Sequence, residues 1–317
     1  MIPALILTAG LGTRLRPLSY VRAKGALPLA GEPLARRILR GLKDAGVRDA
    51  VLNLHHLPHT LTGAIGDGSD IGMRIRYSWE VPVLGSAGGP RRALPLLRRS
   101  GAGESFLIVN GDTLTDVNIV ALVDDHRSSG ALVTMAVIPN TEPEKYSGVS
   151  ADEDGRFTGF VPRGSSERSF HFVGVQVAEP RAFASIPPDT PYEVRSLYPS
   201  LRQVQAGAVR LFRTNAEFLD IGTPGDYLST ALAIAERDRA LGVGGTRSVI
   251  APDARIERSV LWDDVVIGQG ARLKECVVAD RVVVPSDTSW HGVTLRVPAG
   301  ELAPGERVIE GLAVCPL

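Results

Sequence analysis

Only two cysteines, Cys276 and Cys315, stand among 317 residues. A disulfide framework or a zinc site needs more, so neither is expected, and a reducing, cytoplasmic setting is predicted. An excess of charge of one sign is missing too: Lys+Arg 35 against Asp+Glu 35 leaves a net charge of zero. Proteins that hold nucleic acid or anionic membranes normally carry a basic excess, so neither is expected as a partner. No apolar run reaches the roughly 18 residues that would span a bilayer. Met1-Ile2-Pro3 leads directly into a strand-like run with no basic segment or cleavage site, and no signal peptide is expected. Lysine is scarce. Lys24, Lys43, Lys145 and Lys274 are the full set, and arginine supplies the remaining positive charge. A lysine set in a Gly/Pro-rich loop, as Lys24 is, therefore invites a specific role. The pairs Arg36-Arg37, Arg91-Arg92 and Arg98-Arg99 read as solvated helix faces.

With 44% hydrophobic residues the chain can build a sizeable core, and at about 150 residues per domain its length suits one large domain with a smaller one, or two. The first half alternates short apolar runs with helical patterns. Ile2 to Leu7, Ala50 to Leu54, Gly72 to Trp79, Ser105 to Val109 and Ala131 to Ile138 read as strands. Pro33 to Ala45, Ala87 to Arg99 and Val117 to Ser129 read as helices, with Pro95 expected to perturb the second. Such alternation predicts βαβ units and a mixed, mostly parallel sheet with helices on both faces. From Tyr146 onward hairpin-like strands appear, around a turn at Asp152 to Gly155 and along Phe170 to Ala178. A helix from Glu193 to Ala206 is expected to be interrupted by Pro199. Another, from Pro224 to Leu241, is opened by proline with Thr223 as its cap.

Gly242-Val243-Gly244-Gly245 is the best linker, which puts the domains at 1–241 and 246–317. Beyond it Ile250, Ile256, Trp262, Ile267, Leu273 and Ala279 recur at steps of six, with one step of five, and Ala254, Val260, Val266, Ala271, Val277 and Val283 follow four positions later. That period predicts a parallel β-helix of about two coils, too short to stand alone. Such a tail is expected to mediate subunit contacts in a homo-oligomer, with Trp262 or Trp290 as apolar anchors.

The first strand runs into Ala9-Gly10-Leu11-Gly12-Thr13-Arg14-Leu15-Arg16-Pro17-Leu18. Two glycines at the carboxyl end of a parallel strand allow a tight turn with exposed backbone N–H groups, a nest suited to phosphate oxygens. Arg14 adds a fixed charge. A Walker loop would need Gly-Lys-Ser/Thr, which is absent, and a dinucleotide fingerprint would need a third glycine where Leu15 stands. The stretch continues as Arg22-Ala23-Lys24-Gly25-Ala26-Leu27-Pro28-Leu29-Ala30-Gly31-Glu32-Pro33-Leu34. Together these segments resemble the signature of the sugar-nucleotide pyrophosphorylases, the sugar-1-phosphate nucleotidyltransferases. Leu11 stands for a glycine and Ala23 for the proline before the lysine. Leu84-Gly85-Ser86-Ala87-Gly88-Gly89 is similar to the family's base-contacting segment. Asn110-Gly111-Asp112 and Phe218-Leu219-Asp220-Ile221-Gly222-Thr223-Pro224 are similar to its two metal motifs. The resemblance covers residues 1 to about 240, and the tail resembles the left-handed β-helix that many members carry.

The resemblance implies a Rossmann-like, GT-A-like catalytic domain and attack of a sugar-1-phosphate oxygen on the α-phosphorus of a nucleoside triphosphate. It implies nucleotide contacts at Ala9, Gly10, Leu11, Gly12, Thr13, Gly85 and Gly88. It assigns Arg14 and Lys24 to charge neutralisation, and Asp112 and Asp220 to Mg²⁺. Two polyanions meeting need cations and little covalent machinery, and the attacking oxygen is already ionised. On the sugar side the match loosens. Arg163 falls in the slot of the family's lysine, and Pro162 in that of its glutamate. Gly148 and Gly174 match sugar-side glycines, and Glu193 or Lys145 is a substitute hydroxyl contact. The mannose-1-phosphate guanylyltransferase subgroup is the nearest in layout. A glucose-1-phosphate uridylyl- or thymidylyltransferase, or a non-catalytic regulatory relative, are the alternatives. Acyl transfer by the tail is disfavoured, since His291 is its only histidine.

Overall fold

A computed structural model describes residues 2–99, 105–238 and 245–317. The expected linker glycines 242 and 244, and the predicted helix end at 239–241, lie outside the described residues. The chain divides into two compact units: Met1–Gly10, Ile38–His56 and Ile65–Leu219 form one, and Leu11–Arg37, Leu57–Ala64 and Asp220–Leu317 the other. Among the described residues no helix is long and apolar enough to cross a membrane.

The first unit is built on a nine-stranded sheet. Its strands are β1 (Ala4–Leu7), β2 (Asp49–Leu54), β3 (Arg74–Trp79), β4 (Phe106–Asn110), β5 (Val133–Pro139), β6 (Gly148–Ala151), β7 (Phe157–Val161), β8 (Phe170–Ala178) and β9 (Val209–Arg213). The order is β7-β6-β8-β4-β1-β2-β3, with β5 joining β8 to β9. β1 pairs in parallel with β2 and β4, and β2 with β3. β8 runs antiparallel to β4, β5 and β6. The mixed, mostly parallel sheet expected from the alternation is therefore present. Ala4, Leu5, Ile6, Ala50, Val51 and Leu52 have no solvent exposure, as strands covered on both faces require.

The helix Gly85–Arg99 runs through both Pro90 and Pro95, the second of which was expected to perturb it. Each proline removes one backbone bond, and burial of Ala87, Ala93, Leu94 and Leu97 in the sheet's core offsets that loss. The helix Val194–Val204 likewise continues through Pro199, with Leu197 and Tyr198 fully buried.

In the second unit, residues 13–15, 18–20 and 24–26 form short 3₁₀ turns. The helix Pro224–Arg237 opens with a capping box, Thr223 and Asp226 each bonding the other's backbone, and proline follows the cap. The tail is a three-faced parallel β-helix. Val249 pairs with Val266 and Val266 with Val283. Ile256 pairs with Leu273 and Leu273 with Trp290. Leu261 pairs with Val278 and Val278 with Leu295. Three coils are present where two were expected. The third was hidden because Thr294 stands where the earlier coils have Val260 and Val277. Corner residues Arg247, Asp264 and Arg281 take left-handed conformations with φ 59 to 60°. Arg247 grips the next corner, Asp264, at 2.5 and 2.7 Å. The third coil is closed by Leu312–Pro316, antiparallel to Val293–Arg296.

The inward row is Leu261, Val278 and Leu295, so Trp262 points out of the β-helix. It is nevertheless 0% exposed. Its indole N–H donates to the Tyr227 hydroxyl at 2.8 Å, which donates to the Pro28 carbonyl at 2.5 Å. Trp262 therefore cannot be the exposed subunit anchor the sequence suggested, and Trp290 packs partly buried on the β-helix core. Arg22 lies over the Trp262 ring at 5.4 Å. Its guanidinium donates twice to Asp280, at 2.7 and 2.6 Å, and once to Asp263 at 2.6 Å.

Removing the indole leaves a large cavity and takes away the donor to the Tyr227 hydroxyl oxygen. Trp262→Ala should cost about 3–5 kcal/mol, measured by urea unfolding. A pH test follows from Asp263. Burial alone would raise its pKa, but hydrogen bonds from Arg22 and Thr246 outweigh burial and hold it below the usual carboxylate range. A depressed pKa contributes stability above the unfolded value and loses it as pH falls through the folded one. The melting temperature of Asp263→Asn should therefore lie below wild type at pH 7. The gap should close as pH falls below about 4.

Candidate active site

The register Leu7↔Asn110 makes β1 and β4 leave the sheet side by side. Ala9-Gly10 and Gly111-Asp112 thus emerge together at the carboxyl ends of parallel strands, where open α/β sheets bind ligands. Gly111 donates its N–H to the Leu7 carbonyl at 3.0 Å, and a Cβ there would lie 2.6 Å from that oxygen. Only glycine permits this approach. Asp112 follows in the turn, half-buried. Beside Gly10 there is open space, with nothing within 4 Å of an added Cβ.

The turn after β1 is held by a residue that sequence reasoning missed. The Asn53 side-chain oxygen accepts from the N–H groups of Thr8 and Ala9, at 2.6 and 3.2 Å. Its amide nitrogen donates to Glu80 at 2.7 Å. The other Glu80 oxygen accepts from Leu84 N–H at 2.9 Å. Glu80 is 0% exposed, and hydrogen bonds to both oxygens make that burial tolerable. The approach is close enough that Gly89 admits no Cβ, which would sit 2.6 Å from Glu80. A signal existed: Asn53 is the polar residue in an otherwise apolar central strand after Asp49.

Gly85 and Gly88, expected at the base, begin the helix Gly85–Arg99. Gly85 has φ +75°, and a Cβ there would lie 2.4 Å from Glu193. A Cβ on Gly88 would lie 2.4 Å from the Thr190 carbonyl. Close approach of residues 190–193 therefore requires both glycines. Ala87 and Gly88 donate their N–H groups to the Tyr192 carbonyl at 2.9 and 3.1 Å. Glu193, expected among the sugar contacts, accepts from the Ser86 hydroxyl and from Ser86 N–H, the latter at 3.2 Å. Its charge sits at a helix N-terminus, where the dipole favours an anion.

The remaining sugar-side residues lie on the antiparallel part of the sheet. Gly148 pairs with Val161, and Arg163 follows exposed in the turn beyond. Gly174 has φ +85° and brings β8 against Thr113, whose hydroxyl would lie 2.4 Å from a Cβ. His171 on the same strand is sandwiched by Tyr146 and Phe218, with ring centroids at 4.4 and 4.5 Å. Burial lowers its pKa, against weaker upward pulls from the Ser147 backbone and Glu142. Neither ring nitrogen completes a hydrogen bond. Lys145 lies over the Tyr146 ring at 5.1 Å.

In the second unit Leu11 is 45% exposed. Gly12 has φ +61°, and its carbonyl accepts from the Ser19 hydroxyl at 2.8 Å. Thr13 and Arg14 are exposed in the turn that follows. Lys24 opens another 3₁₀ turn, and the preceding Ala23 N–H donates to Thr60 at 3.0 Å. Asp220, Asp226 and Arg14 converge on Gly222: a Cβ there would lie 2.9, 3.2 and 3.4 Å from them. Asp112 belongs to the first unit and Asp220 to the second. Among the described residues no three His, Cys, Asp or Glu gather into a cage. Single half-buried carboxylates at strand ends fit Mg²⁺, which takes one or two protein oxygens and completes its shell with phosphate and water.

Residues 3–237 match the family described as nucleotidyl transferase, and residues 234–293 match the GlmU-like C-terminal hexapeptide family. The mannose-1-phosphate guanylyltransferase of Mycobacterium tuberculosis is 29% identical over 89% of this chain and 81% of its own length. The N-acetylmuramate alpha-1-phosphate uridylyltransferase of Neisseria meningitidis is 34% identical over 69% of this chain and 93% of its own. The crystal structure of HddC from Yersinia pseudotuberculosis complexed with GMP-PN shares the fold. Its TM-score is 0.62 at 21% identity, over 73% of this chain and 98% of that one.

Asn53→Ala would leave two strand-end amides and one buried carboxylate oxygen without partners. A stability loss of about 1–3 kcal/mol is expected. Amide exchange at Thr8 and Ala9 should accelerate with it, read by hydrogen-exchange mass spectrometry.

Proposed function

The chain belongs to the nucleotidyl transferase family, and from that premise we propose that it transfers a nucleotidyl group from a nucleoside triphosphate to a sugar-1-phosphate. GTP and mannose-1-phosphate are the proposed pair. The observation that carries the reading is the emergence of the open Ala9-Gly10 turn beside Asp112, fixed by the Leu7↔Asn110 register. A nest of amides next to a carboxylate suits a phosphate group together with its cation. The relatives include guanylyl- and uridylyltransferases acting on different sugars, and the M. tuberculosis enzyme matches across most of this chain. The glucose-1-phosphate uridylyltransferase of Synechocystis matches over 98% of the chain, so extent of match does not choose the pair; the recurrence of mannose-1-phosphate guanylyltransferases among the relatives supports it.

In the proposed reaction a phosphate oxygen of the sugar-1-phosphate forms a bond to the α-phosphorus. The bond from that phosphorus to the bridging oxygen of the β-phosphate breaks, and pyrophosphate leaves with the electron pair. Ala9 to Thr13 are the proposed nucleotide contacts, through the backbone N–H groups from Gly10 onward because Asn53 holds that of Ala9, with Gly85 and Gly88 at the base. Arg14 and Lys24 neutralise the charge that grows on the phosphates. Asp112 and Asp220 are the carboxylates assigned to Mg²⁺, which would orient the phosphates and screen their repulsion. Arg163 can grip the sugar phosphate bidentately, and Gly148 and Gly174 are the further sugar-side contacts. Glu193, held by Ser86 through one carboxylate oxygen, or Lys145 is the proposed contact to the sugar's hydroxyls. The catalytic part is assigned to 1–241 and the β-helix to 246–317, in a cytoplasmic homo-oligomer. Val249, Val266 and Val283 supply an apolar ladder for subunit contact, 62, 37 and 59% exposed.

Crossing five nucleoside triphosphates with mannose-, glucose-, N-acetylglucosamine- and heptose-1-phosphates in a pyrophosphate-release assay tests the assignment. GTP with mannose-1-phosphate should give the highest kcat/KM, and a better pair would replace it. Asp112→Ala should lose at least ~100-fold in kcat while its melting temperature stays near wild type. Unchanged kcat would remove the metal role. Val283→Glu should lower the mass seen by light scattering if the valine ladder joins subunits, and an unchanged mass would exclude that face.

A further inference from the structure

We propose that the β-helix sets the position of Lys24, with Arg22 as the positioning residue held by Asp263 and Asp280 of successive coils. The proposal rests on the catalytic role given to Lys24 above, and it assigns the tail a task inside its own chain. Arg22 is two residues before Lys24, in a loop made of short 3₁₀ turns. Such turns carry few bonds of their own. What fixes this loop lies elsewhere in the second unit.

The receptor for Arg22 is organised before the arginine arrives. Asp263 and Asp280 stand 17 residues apart, at equivalent positions of adjacent coils, and Asp280 accepts from Asp263 N–H at 3.1 Å. The free Asp263 oxygen accepts from Thr246 N–H and its hydroxyl, at 2.7 and 2.8 Å. Both carboxylates are thereby turned the same way. The guanidinium fork engages Asp280 through Nε and one terminal nitrogen, and Asp263 through the same nitrogen. Its side chain is only 16% exposed, and the Trp262 ring covers one face. A lysine could not reproduce that fork. Further along the loop, Tyr227 ties the Pro28 carbonyl to the same tryptophan. Lys24 therefore lies between two points, Arg22 and Pro28, that are both anchored on the β-helix row carrying Trp262.

This arrangement differs from a surface ion pair. An exposed pair is worth little and tolerates loss. Here one cation satisfies two half-buried carboxylates, and removing it leaves them facing each other. Placement errors of about 1 Å in a charged group can cost up to ~100-fold in rate without any contact to substrate being deleted. Disturbing the receptor should therefore reach the reaction through Lys24, although no receptor residue has been given a contact with substrate.

Two variants of the full chain make the test. Asp280→Asn removes one charge and keeps the shape, and Arg22→Lys keeps the charge and loses the fork. Two readouts are taken: steady-state kinetics of pyrophosphate release, and hydrogen exchange of the amides of residues 22–27. Both variants should exchange faster there, while the helix Gly85–Arg99 stays as in wild type. In both, kcat should fall roughly tenfold or more with KM for both substrates within about twofold. The double variant should be no slower than Arg22→Lys alone, because the two residues act as one unit. Faster exchange with unchanged kcat would overturn the positioning role. Unchanged exchange would overturn the coupling whether or not the enzyme turns over. A silent wild type with altered exchange would instead count against the proposed reaction and leave the mechanical link standing. If Arg22→Lys fails to fold, Asp280→Asn decides alone.

Discussion

Asn53 uses its whole side chain to shape one turn. A strand that ends at the proposed phosphate site faces a conflict: the last amides must leave the sheet's ladder, yet they cannot be left loose. The Asn53 oxygen takes the Thr8 and Ala9 N–H groups, so the chain is steered outward and the open position falls at Gly10. Glu80 fixes Asn53 in turn and holds Leu84 before the helix Gly85–Arg99. One buried carboxylate therefore sets the end of the first strand and the approach to that helix. Gly89 is required by the closeness of the Glu80 and Asn53 side chains, and Gly111 by that of the Leu7 backbone.

The second unit meets a similar need with charge in place of an amide. Its loop between residues 11 and 27 has only short 3₁₀ turns to stiffen it. Order is borrowed from the β-helix, whose 17-residue coil stacks like residues in columns and so places Asp263 and Asp280 together. Repetition is what makes this receptor possible, since one coil could offer a single carboxylate. The outward-facing Trp262 belongs to the same logic: a large apolar residue outside the inward row of the β-helix is buried by Tyr227 and covered by Arg22.

Much of this was legible in the sequence. Continuous apolar runs fixed the central parallel strands, because strands buried on both faces need no alternation. The glycine turn, Lys24, Asp112 and Asp220 stood out through a long and specific signature. The six-six-five spacing predicted the coil. What the sequence hid was pairwise and distant. Glu80 reads as a strand-end surface charge until Asn53 is seen across from it. Glu193 reads as a free carboxylate until Ser86 is seen to hold it. The prolines in two helices suggested breaks, and the core contacts that outweigh a lost hydrogen bond are invisible to local pattern. Arg22, Asp263 and Asp280 have no local pattern that links them. Only the fold shows them converging across 258 residues.

The central claim is a nucleotidyl transfer, and following the α-phosphorus tests it most directly. In a single turnover with Mg²⁺, mannose-1-phosphate and GTP labelled at the α-phosphate, the label should pass into the nucleotide sugar. Unlabelled pyrophosphate should form in equal amount. Tight binding of GTP with the label remaining in GTP, across all the sugar phosphates, would contradict the account and leave a nucleotide-binding protein of the same fold.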